Sequence, residues 1–290
     1  MNYFDLHADT PIVLDSNNHK SSVVDVVNHP FEKYNQVMAV FLRDSDDNPF
    51  ESYNRRLALI NSDLSGKNFP FIKKNISSAG AILSVENAGF LAEDINRIYK
   101  LKEDGVRMLS LTWNGDNLLA SGADGEGGIT TLGRDVIKEM NQLGIALDIS
   151  HLSHKAALEG IELADKVLAS HSVPYALNPH KRNIKDTALL MLKEKQGIIG
   201  LCFYPLFLGS DDVFKAILSS AEHLISLGLE NNIAFGSDFD GADMAVSLSK
   251  TAHIKDLFNA FCSRGFKKST VESFFYENAI AFFNKMCENK

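Results

Sequence analysis

Eight short apolar runs recur along the chain, and longer stretches of mixed polarity separate most of them. Each run is apolar almost throughout, with little alternation between apolar and polar positions, which is typical of parallel strands covered on both faces. The pattern therefore predicts eight buried strands, at residues 3–9, 36–42, 80–87, 106–113, 145–151, 166–172, 197–204 and 232–239.

Four of the intervening stretches carry apolar residues at three- and four-residue spacing, which predicts amphipathic helices at residues 90–105, 130–144, 153–165 and 213–228. Buried strands alternating with helices favour a (β/α)₈ TIM barrel. The main alternative is an open doubly wound sheet, but no G-x-G-x-x-G follows the first predicted strand. Because no linker, repeat or low-complexity segment marks a boundary, we expect one domain spanning residues 1–290.

The composition argues against several classes of function. The 290 residues carry a formal net charge of -8 and no long Lys/Arg run, which disfavours sequence-independent binding to nucleic acid or to an anionic membrane surface. The cysteines Cys202, Cys262 and Cys287 show no C-x-x-C spacing, so neither a disulfide framework nor a thiolate zinc cluster is expected. No signal-peptide pattern and no apolar run of bilayer length is found, which predicts a cytoplasmic protein.

Residues that commonly bind metals stand at the carboxyl ends of five predicted strands. In a barrel these ends meet at one mouth, where the active sites of this architecture lie. Any one such residue alone is more often a hydrogen-bonded structural group, but their joint placement predicts a shared site. The set comprises His7 and Asp9, Glu86, His151, His171 and Asp238. The other histidines fall in predicted loops or helices and are not expected to bind metal; they are His19, His29, His154, His180, His223 and His253.

Three imidazoles and three carboxylates, without a thiolate, suit zinc or another first-row divalent ion. Six ligands exceed the three protein ligands of a typical catalytic zinc, so we expect two metal ions per chain, bridged by one carboxylate. Glu86 would form the bridge, and Asp238 would remain free for proton transfer. The other four residues would divide between the ions, with His7 and Asp9 on one and His151 and His171 on the other.

Five motifs in order carry a resemblance to a known family. They are "DLHADTP", "SVENA", "ALDISHLS", "ASHSVPYALNPHKRNI" and "IAFGSDFDG", and they run from residue 5 to residue 241. Together they resemble the membrane (renal) dipeptidase family of the amidohydrolase superfamily. The stretch "GGITTLGRDVIKEMNQLGIALDISHLS" is similar to that family almost throughout.

The resemblance implies a binuclear zinc metallopeptidase that hydrolyses dipeptides with a metal-bridging hydroxide and accepts a D-residue at the C-terminal position. Carried over by motif, it assigns the five metal ligands as above, with Glu86 as the bridge. It also implies that Asp238 is the acid/base group and that Arg182, in "HKRN", binds the substrate carboxylate. Arg suits this role because its planar fork can hold a carboxylate through two hydrogen bonds.

One departure from the family pattern concerns the strand-four motif. Better-known members carry a histidine after "LT", where this chain has Trp113. An indole can donate one hydrogen bond but cannot carry positive charge, so stabilisation of an oxyanion would be weaker or would fall to the metal. The alternative is that Trp113 forms a wall of the substrate pocket and that Asn114 or Asp116 makes the polar contacts.

Two other functions remain open at this point. One is hydrolysis of another small amide, such as an N-acyl amino acid or a cell-wall-derived dipeptide. The other is a barrel that keeps its metals but serves only as a binding protein, which loss of the strand-four histidine would suit. The aromatic C-terminal segment "VESFFYENAIAFFNKM" could pack on the barrel or on a partner chain, which leaves a homodimer open.

Overall fold

A closed barrel of parallel strands forms the centre of the computed structural model, which describes residues 1–16 and 21–286. His19 and Cys287 lie outside the described residues. Within the described ranges, eight strands follow one another around the barrel in chain order, and β1 closes it against β8. The strands are β1 (Tyr3–Ala8), β2 (Tyr34–Phe41), β3 (Gly80–Glu86), β4 (Val106–Ser110), β5 (Ala146–Asp148), β6 (Val167–Ser172), β7 (Ile198–Leu201) and β8 (Ile233–Phe235). The predicted (β/α)₈ barrel is confirmed, and each predicted run overlaps one strand.

Helices follow or connect the strands around the outside of the barrel. They are α1 (Thr10–Leu14), α2 (Pro49–Gly66), α3 (Arg97–Asp104), α4 (Thr131–Leu143), α5 (His154–Leu163), α6 (Asp186–Glu194), α7 (Pro205–Leu208), α8 (Val213–Ser226), α9 (Ile254–Arg264), α10 (Lys268–Glu272) and α11 (Asn278–Lys285). The four predicted amphipathic helices overlap α3, α4, α5 and α8. Among residues 1–16 and 21–286, no helix is both long and apolar enough to cross a bilayer.

The inside of the barrel is filled by side chains from every strand. They form one buried cluster, as is usual where alternate strand positions point inward. The C-terminal segment closes the barrel at the amino ends of the strands, where the Phe283 ring stacks on Phe4 at 5.3 Å between centroids. This confirms that the aromatic C-terminal segment packs on its own barrel, while a homodimer stays a prediction. The strand residues in the cluster are Phe4, Leu6, Val37, Ile82, Met108, Ala146, Leu168, Ile198 and Ala234.

Four strands, β4, β5, β7 and β8, end three or four residues earlier than their apolar runs predict. β5 ends at Asp148 because that side chain accepts the Ser150 amide at 3.1 Å and the backbone then turns. β8 ends at Phe235, and the amide of Ser237 donates to Asp5 Oδ1 at 2.8 Å. β4 likewise ends at Ser110. The polar residues predicted to finish these strands therefore lie on the loops that follow, at the carboxyl mouth of the barrel.

Candidate active site

The six predicted site residues from β1, β3, β6 and the loops after β5 and β8 come together at this mouth. His7 lies within β1, His171 lies within β6 and Glu86 is the last residue of β3. Asp9, His151 and Asp238 follow their strands. All six are buried, and all but His7 line a cavity of about 440 Å³. The prediction that the six converge on one site agrees with this geometry.

Irregular strand pairing accompanies two of the site histidines. The register of β1 against β2 shifts between Asp5 and Ala8, and the register of β6 against β7 shifts between Ala169 and Ser172. Such shifts re-aim side chains and are frequent beside active sites. His7 and His171 lie within the two shifted segments.

Glu86 lies between two of the histidines. Its Oε2 is 3.0 Å from His7 Nε2, and its Oε1 is 2.9 Å from His151 Nε2. Burial alone would raise the pKa of this carboxyl, but the neighbouring imidazoles of His151 and His7 outweigh it and hold the pKa well below its usual range. An ionised carboxylate with one oxygen toward each side is the arrangement that a bridging ligand needs.

His171 faces both His151 and Arg182. Its Nε2 is 2.9 Å from His151 Nε2 and 3.0 Å from Arg182 Nη2. Burial, and next the neighbouring His7, His151 and Arg182, hold the pKa of His171 well below its usual range. The imidazole is therefore neutral and can offer a nitrogen lone pair to a cation.

Asp9 and Asp238 also lie beside His7, and Asp9 Oδ2 is 3.6 Å from Nε2, the ring nitrogen of His7 that faces Glu86. One ligand atom from each of His7, Asp9 and Asp238 falls within 4.8 Å of the other two. Asp238 adopts a left-handed backbone conformation with φ 63°, which turns its carboxyl into the mouth. Gly241 permits this close approach, since a Cβ there would lie 2.0 Å from Asp9 Oδ2 and 2.7 Å from Asp238 Oδ1.

The donor set fits divalent metal ions. Besides the His7, Asp9 and Asp238 group, ligand atoms of His7, Glu86 and His171 also lie within 4.8 Å of one another. Buried polar atoms without partners are costly, and a cation would satisfy them. Imidazole nitrogen combined with carboxylate oxygen is the chemistry that zinc and related first-row ions prefer. Three buried atoms that could bind a cation make no well-aligned hydrogen bond, namely Asp9 Oδ1 and the pair His7 Nε2 and Glu86 Oε2, which lie 3.0 Å apart.

Asp238 differs from Glu86 in its charge state. Burial is the main cause that raises the pKa of Asp238 to about 8; His7 and Arg182 oppose this shift, and the carboxylates of Asp9 and Glu86 add to it. A carboxyl with this pKa can hold and release a proton near neutral pH. Its nearest cysteine is Cys202, whose Sγ lies 3.8 Å from Asp238 Oδ2.

Arg182 is a buried cation at the edge of the cavity. Only 3% of the residue is exposed, and its guanidinium lies 5.1 Å from the centre of the Phe207 ring. Nε and Nη1 have no hydrogen-bond partner, whereas Nη2 faces His171. The free Nε–H and Nη1–H lie on different edges of the guanidinium, and each of them can pair with an Nη2–H to hold the two oxygens of a carboxylate.

Trp113 and Asn114 also line the cavity, but their surroundings differ. The Trp113 ring packs 5.2 Å from Phe41, the last residue of β2, so it forms part of an aromatic wall. Asn114 Oδ1 lies 3.1 Å from His151 Nδ1, the ring nitrogen that faces away from Glu86. Asp116 binds the hydroxyl of Ser121 within its own loop and does not line this cavity.

Several residues of the cavity had not been singled out from the sequence. They are apolar or aromatic and come from the end of β2, from helix α1 and from the segment around α7: Phe41, Ile12, Tyr204, Leu206 and Phe207. Phe41 could have been found, because the end of every strand faces the mouth. The segment around α7 gave no such signal, since short apolar segments in loops are common.

Known proteins resemble this chain in sequence. A family model described as membrane dipeptidase (peptidase family M19) matches residues 71–290. The dipeptidase tcpJ of Claviceps purpurea is 34% identical over 187 residues, which cover 61% of this chain and 44% of that protein. An uncharacterised dipeptidase of Schizosaccharomyces pombe is 33% identical over 171 residues, which cover 56% of this chain and 42% of that protein. The match thus covers less than half the length of either relative.

Solved structures share the fold. A metallopeptidase of Rhodobacter sphaeroides, solved with a phosphinate mimic of the dipeptide L-Ala-D-Ala, superposes with a TM-score of 0.85 at 22% identity and covers 99% of both chains. The probable dipeptidase PvdM of Pseudomonas aeruginosa superposes with a TM-score of 0.79 at 17% identity, covering 88% of this chain and 86% of that one. His7 and Asp9 precede the residues that the family model matches, so their place in the site depends on the geometry.

Proposed function

Because the chain belongs to the membrane dipeptidase family, we propose that it is a metal-dependent hydrolase that cleaves dipeptides in the cavity at the barrel mouth. The observation that carries this proposal is the buried Arg182 beside the metal-binding cluster. A buried cation with two unpartnered N–H groups is costly unless an anion binds it, and the C-terminal carboxylate of a dipeptide is such an anion.

We assign the metal ligands as the resemblance to the membrane dipeptidase family implies. His7 and Asp9 would hold one ion, His151 and His171 the other, and Glu86 both. Zinc is the expected ion, since imidazole nitrogens together with carboxylate oxygens suit zinc better than calcium or magnesium, which prefer oxygen ligands alone. Two such ions would polarise the scissile carbonyl and acidify water in the cavity.

Arg182 would orient the substrate. A carboxylate held by Nη2 together with the free Nε or Nη1 group would lie beside His171, so the scissile carbonyl, one residue further along the dipeptide, would reach the cluster. Holding the reacting group in place in this way contributes to catalysis by reducing the entropy lost in the transition state.

Asp238 would move the proton. Its carboxyl lies on the side of His7 that Asp9 occupies, within reach of groups bound in the mouth. It would accept a proton from the attacking water and return it to the leaving amine, which a pKa near neutrality favours.

The aromatic wall of Trp113 and Phe41 would contact the N-terminal residue of the dipeptide. Arg182 follows β6, whereas Phe41 ends β2, and these two strands lie across the barrel from each other. A dipeptide anchored by its carboxylate on one side therefore directs its N-terminal side chain toward the wall. Trp113 then acts through apolar contact, in place of the charge that a histidine would supply.

A panel of substrates tests this proposal on the wild-type chain and on Trp113→Ala. The panel holds free dipeptides with L- or D-residues at each position, their C-terminal amides, and N-acyl amino acids. We expect hydrolysis of free dipeptides, including some with a C-terminal D-residue, as the bound mimic in the Rhodobacter sphaeroides relative suggests. Trp113→Ala should lower kcat/KM about 10-fold or more for dipeptides with a large N-terminal side chain and change it little for Ala-Ala.

Trp113→Phe is the matched control and should retain most of the activity toward the same large substrates. If only N-acyl amino acids are hydrolysed, the substrate class is N-acyl amino acids and not dipeptides. Binding of metals without hydrolysis of any substrate would contradict the proposed function and favour a binding protein. If Trp113→Ala lost as much kcat/KM with Ala-Ala as with the larger dipeptides, that result would contradict the proposed contact between the aromatic wall and the N-terminal side chain.

A further inference from the structure

A buried chain of hydrogen bonds lies behind His171, on the side of the ring that faces away from the cavity. Ser170 Oγ is 2.8 Å from His171 Nδ1. The same hydroxyl is 2.5 Å from Asp148 Oδ2. Asp148, Ser170 and His171 are each at most 4% exposed. The three residues are joined across the adjacent strands β5 and β6.

The direction of these hydrogen bonds follows from the groups involved. Asp148 Oδ1 already accepts the amides of Ser150 and Ser170 and the hydroxyl of Ser150, at 2.8–3.1 Å. Surrounded by donors, the carboxylate accepts from Ser170 Oγ as well, and a serine hydroxyl has only one hydrogen to give. Ser170 Oγ must therefore accept a hydrogen bond from His171 Nδ1–H.

The opposite edge of the ring requires the same tautomer. Arg182 is a donor only, and its Nη2 lies 3.0 Å from His171 Nε2. Nε2 is thus the acceptor and carries the lone pair, while Nδ1 carries the hydrogen. The partners at both edges of the imidazole, Ser170 and Arg182, therefore require the Nδ1–H tautomer, although they come from different segments of the chain.

The backbone around Ser170 is built to hold this hydroxyl in place. Strands β7 and β8 approach its carbonyl so closely that a Cβ at Gly200 or Gly236 would lie 1.9 Å or 1.7 Å from that oxygen. The hydroxyl is also 3.5 Å from His7 Nδ1, so one group lies next to histidines from both proposed ion positions.

We propose that Asp148 and Ser170 are positioning residues that lock His171 in the Nδ1–H tautomer and so keep Nε2 available as a metal ligand. The metal part of this inference rests on the proposed function, whereas the tautomer part does not. Outer hydrogen-bond partners of ligating histidines commonly change metal affinity 10- to 100-fold when they are removed.

Asp148→Asn is the most informative variant because it should reverse the chain of hydrogen bonds. The amide oxygen would remain on the side where three donors converge, which places the NH₂ group at the position of Oδ2. That group would donate to Ser170 Oγ, and the hydroxyl would then donate to His171 Nδ1, which at 2.8 Å is a nearer acceptor than Ser150 Oγ at 3.1 Å. The hydrogen of the imidazole would then move to Nε2 and block the lone pair.

The test uses two measurements on the full chain. NMR of ¹⁵N-histidine in the metal-free protein, with the signals of His171 identified by their loss in His171→Gln, reports which ring nitrogen carries the hydrogen. Chelator competition reports zinc affinity. We expect the Nδ1–H tautomer in the wild type, the Nε2–H tautomer in Asp148→Asn, and zinc affinity lower by about 10- to 100-fold in Asp148→Asn and Ser170→Ala.

Ser172→Ala is the matched control. Ser172 lies on the same strand, is fully buried, and its hydroxyl has no hydrogen-bond partner, so its removal should change neither measurement. Ser170→Ala serves if Asp148→Asn does not fold, because it leaves the other contacts of Asp148 intact. An unchanged tautomer and affinity, or an equal loss in Ser172→Ala, would overturn the inference. A wild type that binds no zinc would defeat the proposed function, and the tautomers would still decide this inference.

Discussion

Asp238→Asn should lower kcat for a good dipeptide by about two to four orders of magnitude while leaving the metal content unchanged. The amide keeps the shape of the side chain but cannot accept a proton from water or return one to the leaving amine. Asn also tolerates the left-handed conformation of this position, φ 63°, so the backbone of the mouth should persist. The measurements are steady-state kinetics and metal analysis of the purified variant.

Asp243→Asn is the control for this change. Asp243 is an exposed acid on the same loop and does not line the cavity, so its substitution should leave kcat within about two-fold. Full activity of Asp238→Asn would remove Asp238 from the mechanism. A loss of activity that accompanies a loss of metal would instead make it a ligand.

Arg182→Ala should lower kcat/KM for free dipeptides by at least about two orders of magnitude. Two hydrogen bonds to a charged group are worth roughly 3–6 kcal/mol together, and each 1.4 kcal/mol corresponds to a factor of ten. The effect should fall on substrates that carry a free C-terminal carboxylate. Kinetics with matched pairs of dipeptide and dipeptide amide measure it.

The amide pairs provide the control for Arg182→Ala, because a neutral terminus gives the guanidinium little to bind. The wild type should prefer the free dipeptide, and the variant should lose that preference. Arg182→Lys should recover only part of it, since an ammonium cannot form the paired hydrogen bonds. A preference that survives in Arg182→Ala would show that another group binds the carboxylate.

The sequence was sufficient to predict the barrel and the convergence of the six candidate site residues at its mouth. Runs such as residues 80–87 are apolar throughout, and Glu86 ends its strand where it was expected. Because all parallel strands of a closed barrel end at one mouth, the convergence of residues as distant as His7 and Asp238 follows from topology alone. The match to the membrane dipeptidase family agrees with that interpretation.

The supporting contacts could not be predicted in the same way. The chain from Asp148 through Ser170 to His171 depends on the register of β5 against β6, where Asp148 pairs with Leu168. A hydrophobicity pattern does not contain that register, and the early end of β5 depends on a side-chain hydrogen bond. Phe41 could be placed at the mouth because it ends β2, but its contact with Trp113, which follows β4, depends on side-chain packing that the sequence pattern does not contain.

The most direct test of the proposed function is a titration of the metal-free chain with zinc. At each step of the titration, the bound metal and the rate of hydrolysis of a free dipeptide are both measured. Since we propose that the ligands divide between two ions and that Glu86 binds both, we predict no hydrolysis by the metal-free chain and full activity once two zinc ions are bound per chain. Hydrolysis that persists in a chain shown to hold no metal would contradict this prediction, as would two bound zinc ions with no cleavage of any dipeptide.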